Sequence, residues 1–544
     1  RIEFGTAGLR GIIGAGPARM NRAVVRRAIA GLAQYLLQRE RDDAVKRGVV
    51  VGRDARRMSD VFVDEIVGVL AGHGIPAHVP ASAFPTPLVA FAVAYIGAAA
   101  GVMVTASHNP PEYNGFKIYG ANGAQIAPPD EMEIAARMRS VGIARAVRTM
   151  SADEARARGL RFDLQTDVGR AYFDALGSLS VHSSQGRDLK IVYTPLHGVG
   201  GEWVEKALAE SGFRNVLAVA EQRAPDASFP TVRYPNPEQP GTLDRAWELA
   251  ERNDADLILA NDPDADRLAA AARDDAGTLR LLSGNEVGVL LGHHALTQAP
   301  AGTQRPLVIS SIVSSPALSR IAADLGAEHA QTLTGFKWIA RRAFELEREG
   351  ATFVFGYEEA LGYSMGRIVR DKDGIGAAVA LADLAGSCRS RGVTLWRRLE
   401  EIQQRHGLFL SAQRSIQWSS DDEAQETARL LDTMRSMRPS SFGPFRVMNI
   451  RDYLAGVEKR EVNELSTSLP RANVLIFDLE GGARIALRPS GTEPKLKLYF
   501  DLEEKVGEGE SMAQARERGE KRLGDVVETI MRWLCHRSAC LLHH

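Results

Sequence analysis

Short aliphatic or β-branched runs alternate with longer amphipathic segments over the first three-quarters of this chain, and that alternation narrows the fold more than any other feature. Val49-Val50-Val51, Gly101-Val102-Met103-Val104, Lys190-Ile191-Val192-Tyr193, Leu257-Ile258-Leu259 and Leu307-Val308-Ile309 read as interior strands. Residues 22–40 and 201–211 carry helical apolar spacing. Such βα alternation predicts mostly parallel sheets covered by helices. Ligands then gather beyond the carboxyl ends of strands, so the residues just after each run hold the functional interest. Residues 473–479 and 495–500 alternate instead, and a charged helix from about Ser511 follows, the pattern of a smaller α+β domain.

At 544 residues, and with roughly 150 per domain, three or four domains are expected. Boundaries near residues 165, 278 and 415 would give domains 1–165, 166–278, 279–415 and 416–544, with the polar stretch 419–444 across the last junction. Lys and Arg number 67 against 68 Asp and Glu, a net charge of −1, which removes the electrostatic reason to expect nucleic acid or an anionic membrane as partner. Cys388, Cys535 and Cys540 form no C-x-x-C pair, which suits neither a disulfide framework nor a zinc site and points to reducing cytosol. Residues 88–106 are uncharged, but Ala and Gly keep them weakly hydrophobic and Gly97 splits them into a helix and a strand, not a membrane span. The first residues hold no apolar signal core, and no repeat or low-complexity tract is present.

Three loops carry chemistry. After Leu257-Ile258-Leu259 come Asp262, Asp264 and Asp266. On an extended chain alternate side chains share a face ~6.6 Å apart, and neighbouring carboxylates there repel by roughly 2.5 kcal/mol at an effective dielectric of ~20. A divalent cation resolves that repulsion, and an incomplete all-oxygen shell favours Mg²⁺. An EF-hand is excluded, because Arg267 and Arg273 stand where Gly and Glu are needed; a solvated acidic turn is the alternative. The second loop is Val104-Thr105-Ala106-Ser107-His108-Asn109-Pro110-Pro111. A protease pairing is not expected, since adjacent Ser107 and His108 should point apart and no G-x-S-x-G elbow surrounds them. Lys117, between aromatic and aliphatic neighbours, is a candidate general acid/base if burial lowers its pKa.

The third loop is Arg488-Pro489-Ser490-Gly491-Thr492-Glu493-Pro494-Lys495, between strands at 483–487 and 496–500. Two hydroxyls, backbone N–H groups exposed by Gly and an Arg make a phosphate cradle without a helical P-loop; a plain hairpin turn is the competing reading. His197-Gly198-Val199-Gly200-Gly201 fails G-x-G-x-x-G at Trp203, so nucleotide binding has no support. Thr334-Gly335-Phe336-Lys337-Trp338 and Gly356-Tyr357-Glu358-Glu359-Ala360-Leu361-Gly362 offer groups suited to sugar hydroxyls.

Together with Phe4-Gly5-Thr6-Ala7-Gly8-Leu9-Arg10-Gly11, these motifs resemble the α-D-phosphohexomutase superfamily in their order and over nearly the whole chain. The resemblance implies three related α/β domains with mixed, mostly parallel sheets plus a smaller α+β C-terminal domain around a central cleft. It implies that Ser107 is a phosphoserine, with Ser107, Asp262, Asp264 and Asp266 holding Mg²⁺ and Ser107, His108 and Lys117 as candidate catalytic residues. Substrate contacts would come from Thr6, Arg10, Arg267, Thr334, Gly335, Glu358, Arg370 and Lys372, and from Arg488, Ser490, Gly491 and Thr492. The implied reaction is reversible transfer between glucose 1-phosphate and glucose 6-phosphate through a sugar 1,6-bisphosphate, in the cytoplasm. Oligomeric state is not implied. Ala360 stands where many hexose-specific members carry Ser, and the Gly-Tyr-Glu-Glu-Ala and Gly-Phe-Lys-Trp patterns look closer to the phosphopentomutase and glucose-1,6-bisphosphate-synthase branch. Pentose, mannose and bisphosphate synthesis are therefore alternatives within the family; a phosphatase or an idle phosphosugar-sensing scaffold are alternatives outside it. The first motif begins almost at Arg1, so a preceding segment is expected.

Overall fold

A computed structural model describes residues 2, 4–5, 8–165, 167–180, 186–300, 302–418, 421–460, 464–466, 469–490 and 495–536. The chain divides into two compact units, Arg1–Ile309 with Gly335–Arg398, and Ser310–Thr334 with Leu399–His544.

In the first unit, a seven-stranded sheet runs in the order Phe4–Gly5, Gly8–Ile12, Tyr113–Gly120, Ala100–Val104, Val49–Arg53, Ala77–Val79, Arg161–Asp163. The last four strands are parallel, and the first three extend them antiparallel. Val49 and Val51 share a face of the sheet with Val102 and Val104. They pack into one core with Val25 and Ile29 of helix Arg22–Arg47 and with Phe62 and Ile66 of helix Ser59–Gly72. Helix Arg22–Arg47 runs beyond the expected residue 40 and ends at Gly48, where φ is 68°; its last turns are mostly polar, which hides their helical period. The uncharged stretch forms helix Thr86–Tyr95, a left-handed turn at Gly97 and the buried strand Ala100–Val104. Among the described residues no helix is long and apolar enough to cross a membrane.

A second sheet in this unit orders Leu279–Leu282, Ala269–Arg273, Leu257–Ala260, Ile191–Thr194 and Val216–Ala218, with a parallel centre and an antiparallel edge. Strands Thr352–Glu358 and Gly362–Met365 form an antiparallel pair. Helix Gly284–Thr297 starts at a Ser283–Glu286 capping box, and Asp373 caps helix Gly374–Ser390.

The second unit holds an antiparallel sheet in the order Leu408–Gln417, Lys495–Glu504, Ala483–Pro489, Leu475–Leu479, Phe445–Asp452, Val457–Arg460, Glu464–Ser466. Helix Met512–Cys535 starts where a helix is expected, is capped by Ser511, and buries Val526 and Ile530 in one core with Phe477, Ile485 and Phe500. The polar stretch 419–444 contains helix Asp421–Met437. The whole is three α/β domains followed by a smaller C-terminal α+β domain.

Candidate active site

Strand Ala100–Val104 ends one residue before Thr105, and the chain then turns at Ser107, whose φ of 52° lies in the left-handed region. Thr105 Oγ1 accepts from the Ser107 N–H at 2.8 Å and donates to Asp54 Oδ2 at 2.7 Å. The turn aims Ser107 Oγ inward. It donates to Asp262 Oδ2 at 2.8 Å, lies 3.2 Å from His108 Nδ1, and the residue is 1 % exposed. The expectation that Ser107 and His108 point apart is therefore corrected: it assumed extended backbone, and the left-handed turn rotates the two side chains together. Arg10 Nη1 donates to Asn109 Oδ1 at 3.1 Å.

The three aspartates follow strand Leu257–Ala260, but not on an extended chain. Ala265 has φ of 58° and its N–H donates to Asp262 O at 2.9 Å, so the segment curls and the carboxylates converge. One oxygen of each lies within 4.8 Å of the others, closer than alternation along a strand allows. The curl is backed by the 197–201 loop, where Val199 N–H donates to Pro263 O at 2.9 Å. A Cβ on Gly198 would stand 2.4 Å from Pro263 Cα, so this position needs glycine. Tyr193 OH donates to Asn261 Oδ1 at 2.9 Å, and Thr86 Oγ1 donates to Asp264 Oδ2 at 2.6 Å.

Two buried lysines offset the acid. Lys117 Nζ, from strand Tyr113–Gly120, donates to Asp264 Oδ2 at 2.8 Å and Asp266 Oδ2 at 2.6 Å, and Lys372 Nζ lies 2.9 Å from Asp266 Oδ2. Burial, then repulsion from Asp264 and Asp266, pushes Asp262 well above the ordinary carboxylate range. Burial also pushes Asp266 upward, but Lys117, Lys372 and Arg267 outweigh it and hold it well below that range. For Lys117, burial favours the neutral amine, yet Asp264 and Asp266 prevail and its pKa is raised. That corrects the expectation of a lowered lysine: it reckoned with burial and not with the two carboxylates touching the ammonium.

Asp264 Oδ1 and Asp266 Oδ1 are buried and make no hydrogen bond. Buried acceptors without donors are costly. A hard divalent cation satisfies them, and the all-oxygen donor set suits one. Arg267 flanks the turn, its N–H donating to Asp262 Oδ1 at 3.1 Å and its Nη1 to Glu238 Oε2 at 3.3 Å.

The remaining expected residues are placed as follows. Glu358 Oε1 accepts from the Gly335 N–H at 2.6 Å, joining the two loops read as sugar contacts. Thr334 Oγ1 is buried without a hydrogen bond. Arg370 is not brought to the aspartates; it pairs with Glu347 at 3.0 Å and lies over the Phe344 ring. Arg488 sits at the end of strand Ala483–Pro489, opposite Lys497, and the Ser490 N–H donates to Lys495 O at 2.8 Å. Thr6, Gly491 and Thr492 lie outside the described residues. Sequence reasoning missed Asp54, Arg56, Thr86 and the 197–201 loop as supports of the site. The position of Asp54 directly after strand Val49–Arg53 was the one available signal.

Four signatures of phosphoglucomutase/phosphomannomutase match: alpha/beta/alpha domain I over residues 1–143, domain II over 170–277, domain III over 283–405 and the C-terminal domain over 445–518. The chain is 38% identical to a probable phosphomannomutase of Haemophilus influenzae over 89% of its length and 93% of that protein. It is 34% identical to the human phosphopentomutase over 97% of its length and 89% of that protein. It is 36% identical to a phosphoglucomutase of Staphylococcus haemolyticus over 92% of its length and 90% of that protein.

Proposed function

Because this chain belongs to the phosphoglucomutase/phosphomannomutase family, and is on that ground a phosphosugar mutase, we propose that it exchanges glucose 1-phosphate and glucose 6-phosphate through a phosphorylated Ser107. The observation that carries the reading is the placement of Ser107 Oγ, 2.8 Å from Asp262 within a converging carboxylate trio.

In the forward half-reaction the bond from Ser107 Oγ to phosphorus breaks as a sugar hydroxyl oxygen bonds to the same phosphorus, giving a sugar bisphosphate. Ser107 takes the other phosphoryl group after the intermediate turns end for end. The proton the sugar hydroxyl loses balances the one Ser107 Oγ gains, and His108 Nδ1, 3.2 Å from Oγ, is placed to hand it over at Oγ. Lys117 and Lys372, paired with the acids, are placed to offset negative charge as it spreads over the phosphoryl oxygens. Asp262, Asp264 and Asp266 would hold Mg²⁺, which when bound would supply Lewis-acid stabilisation of that charge. Arg10 and Arg267 orient the reacting phosphate, Thr334, Gly335 and Glu358 the sugar, and Arg488 with Ser490, Gly491 and Thr492 the phosphate that is not transferred. The domain limits near residues 165, 278 and 415, and a reducing cytosolic setting, belong to the same reading.

Pentose 1-phosphate to 5-phosphate exchange is the second reading. It is favoured by Ala360 in the sugar loop and by the 34% identity to a phosphopentomutase. The test offers glucose 1-phosphate, mannose 1-phosphate and ribose 1-phosphate in turn, with Mg²⁺ and catalytic sugar bisphosphate, and follows products by phosphorus NMR. Fastest positional exchange on glucose, without free phosphate, is expected. Preference for ribose 1-phosphate selects the second reading, and stoichiometric free phosphate from every sugar contradicts a mutase.

A further inference from the structure

The backbone carbonyls of the Ser107 loop converge on one guanidinium. Arg56 Nη2 donates to Ser107 O at 2.6 Å and also to Asn109 O, while Nη1 donates to Pro110 O at 2.8 Å and Tyr113 O at 3.3 Å. Arg56 is 3 % exposed, its Nε lies 3.3 Å from Asp54 Oδ2, and its guanidinium stacks over the Phe229 ring. Asp54 accepts in addition from the Arg56 N–H at 3.0 Å, Ser59 Oγ at 2.9 Å and Thr105 Oγ1 at 2.7 Å. Since Thr105 Oγ1 takes the Ser107 N–H, both backbone polar groups of Ser107 are tied to this one ion pair.

We propose that Arg56, clamped by Asp54, is a positioning residue for phosphoryl transfer: it gathers the loop carbonyls and so fixes the turn from which Ser107 Oγ meets Asp262 and His108. The inference rests on Ser107 being the phosphoryl carrier. Three physical arguments support it. A non-glycine residue at positive φ persists only where its surroundings over-determine it, and here the over-determining group is Arg56. Carbonyls drawn toward a cation turn the negative ends of their dipoles away from the anionic phosphoryl group. In-line transfer needs a reacting oxygen placed to within a fraction of an ångström. Arg56 touches no reacting atom, so its effect passes through Ser107.

Arg56→Lys tests the clamp, because a point-charge ammonium keeps the charge and loses the planar set of donors; Asp54→Asn keeps the shape of its partner. Each variant is compared with the unaltered enzyme in kcat, KM for glucose 1-phosphate, melting, and single-turnover transfer from phosphorylated Ser107. For Arg56→Lys, kcat and the single-turnover rate are expected to fall together by about 10- to 100-fold, the cost of a misplaced reacting atom. KM should stay within about threefold, because ground-state binding is untouched, and melting should stay cooperative. Asp54→Asn should lower kcat in the same direction by a smaller factor. An unchanged kcat in folded Arg56→Lys overturns the proposal. So does activity that falls only with the folded fraction, including failure of both variants to fold, since the pair is then scaffold alone. If the unaltered enzyme turns over with no phosphate on Ser107, the underlying reading fails, and that failure is distinguished by appearing without any substitution.

Discussion

A single oxygen, Ser107 Oγ, stands within hydrogen-bond reach of an imidazole and a carboxylate that belongs to a trio. Ser107→Ala removes the acceptor for phosphorus and nothing of the sugar contacts. Exchange should vanish while calorimetry still detects glucose 1-phosphate binding; retained turnover would take Ser107 out of its role. Lys117 is fully buried between Asp264 and Asp266, and deleting one partner of such a group typically costs about 3–5 kcal/mol because charge is left uncompensated. A cation that binds only the native state offsets that loss by mass action. Lys117→Met should therefore melt well below the unaltered enzyme in EDTA and gain more from added Mg²⁺; equal gains would contradict the electrostatic account. Ser107 and the aspartates were legible in the sequence because each directly follows an apolar strand. Asp54 and Arg56 were not, since a polar pair after a strand reads equally well as a solvated turn, and only the folded loop shows the four carbonyls around the guanidinium.

Elements set how these residues are presented. Helix Gly284–Thr297 begins beneath the loop that follows strand Thr352–Glu358, and a Cβ on Gly284 would stand 1.8 Å from Glu359 O. Gly284→Ala should displace that loop, raising KM for the sugar phosphate at a stability cost of about 1–3 kcal/mol; an unchanged KM would separate the helix start from substrate recognition. In the second unit His329 lies on strand Glu328–Thr332 with Nε2 2.9 Å from Ser310 Oγ, and burial pushes its pKa down to about 4 from the ordinary 6.5. The unfolded chain then binds the proton first, so stability contributed by the neutral ring is present above pH 6.5 and is lost as pH falls toward 4. Denaturant titrations over that range should show the decline, and His329→Gln should flatten it. The apolar period found the interior strands, yet it placed the three aspartates on an extended face. The curl at Ala265 comes from backbone hydrogen bonds and from glycines of the 197–201 loop, distant in sequence, which no local pattern records.

Over the whole molecule a net charge of −1 leaves phosphate recognition to local groups, which is why the proposed anion contacts are placed Arg, Lys, hydroxyl and N–H groups. Arg488 illustrates this in the C-terminal domain: removing one charge-assisted contact in Arg488→Ala should raise KM by about 10- to 100-fold. Loading of Ser107 by a sugar bisphosphate should remain measurable in that variant, and an unchanged KM would argue against the cradle. The family and its four domains were legible end to end because the motifs stand in one order along the chain; the preferred sugar was not, because it turns on single side chains such as Ala360. The most direct test of the account is to quench the enzyme during turnover with radiolabelled sugar bisphosphate and locate the label by peptide mapping. The account predicts phosphate on Ser107, discharged to glucose 1-phosphate at least as fast as steady-state exchange. Exchange that proceeds while Ser107 stays unlabelled would contradict it.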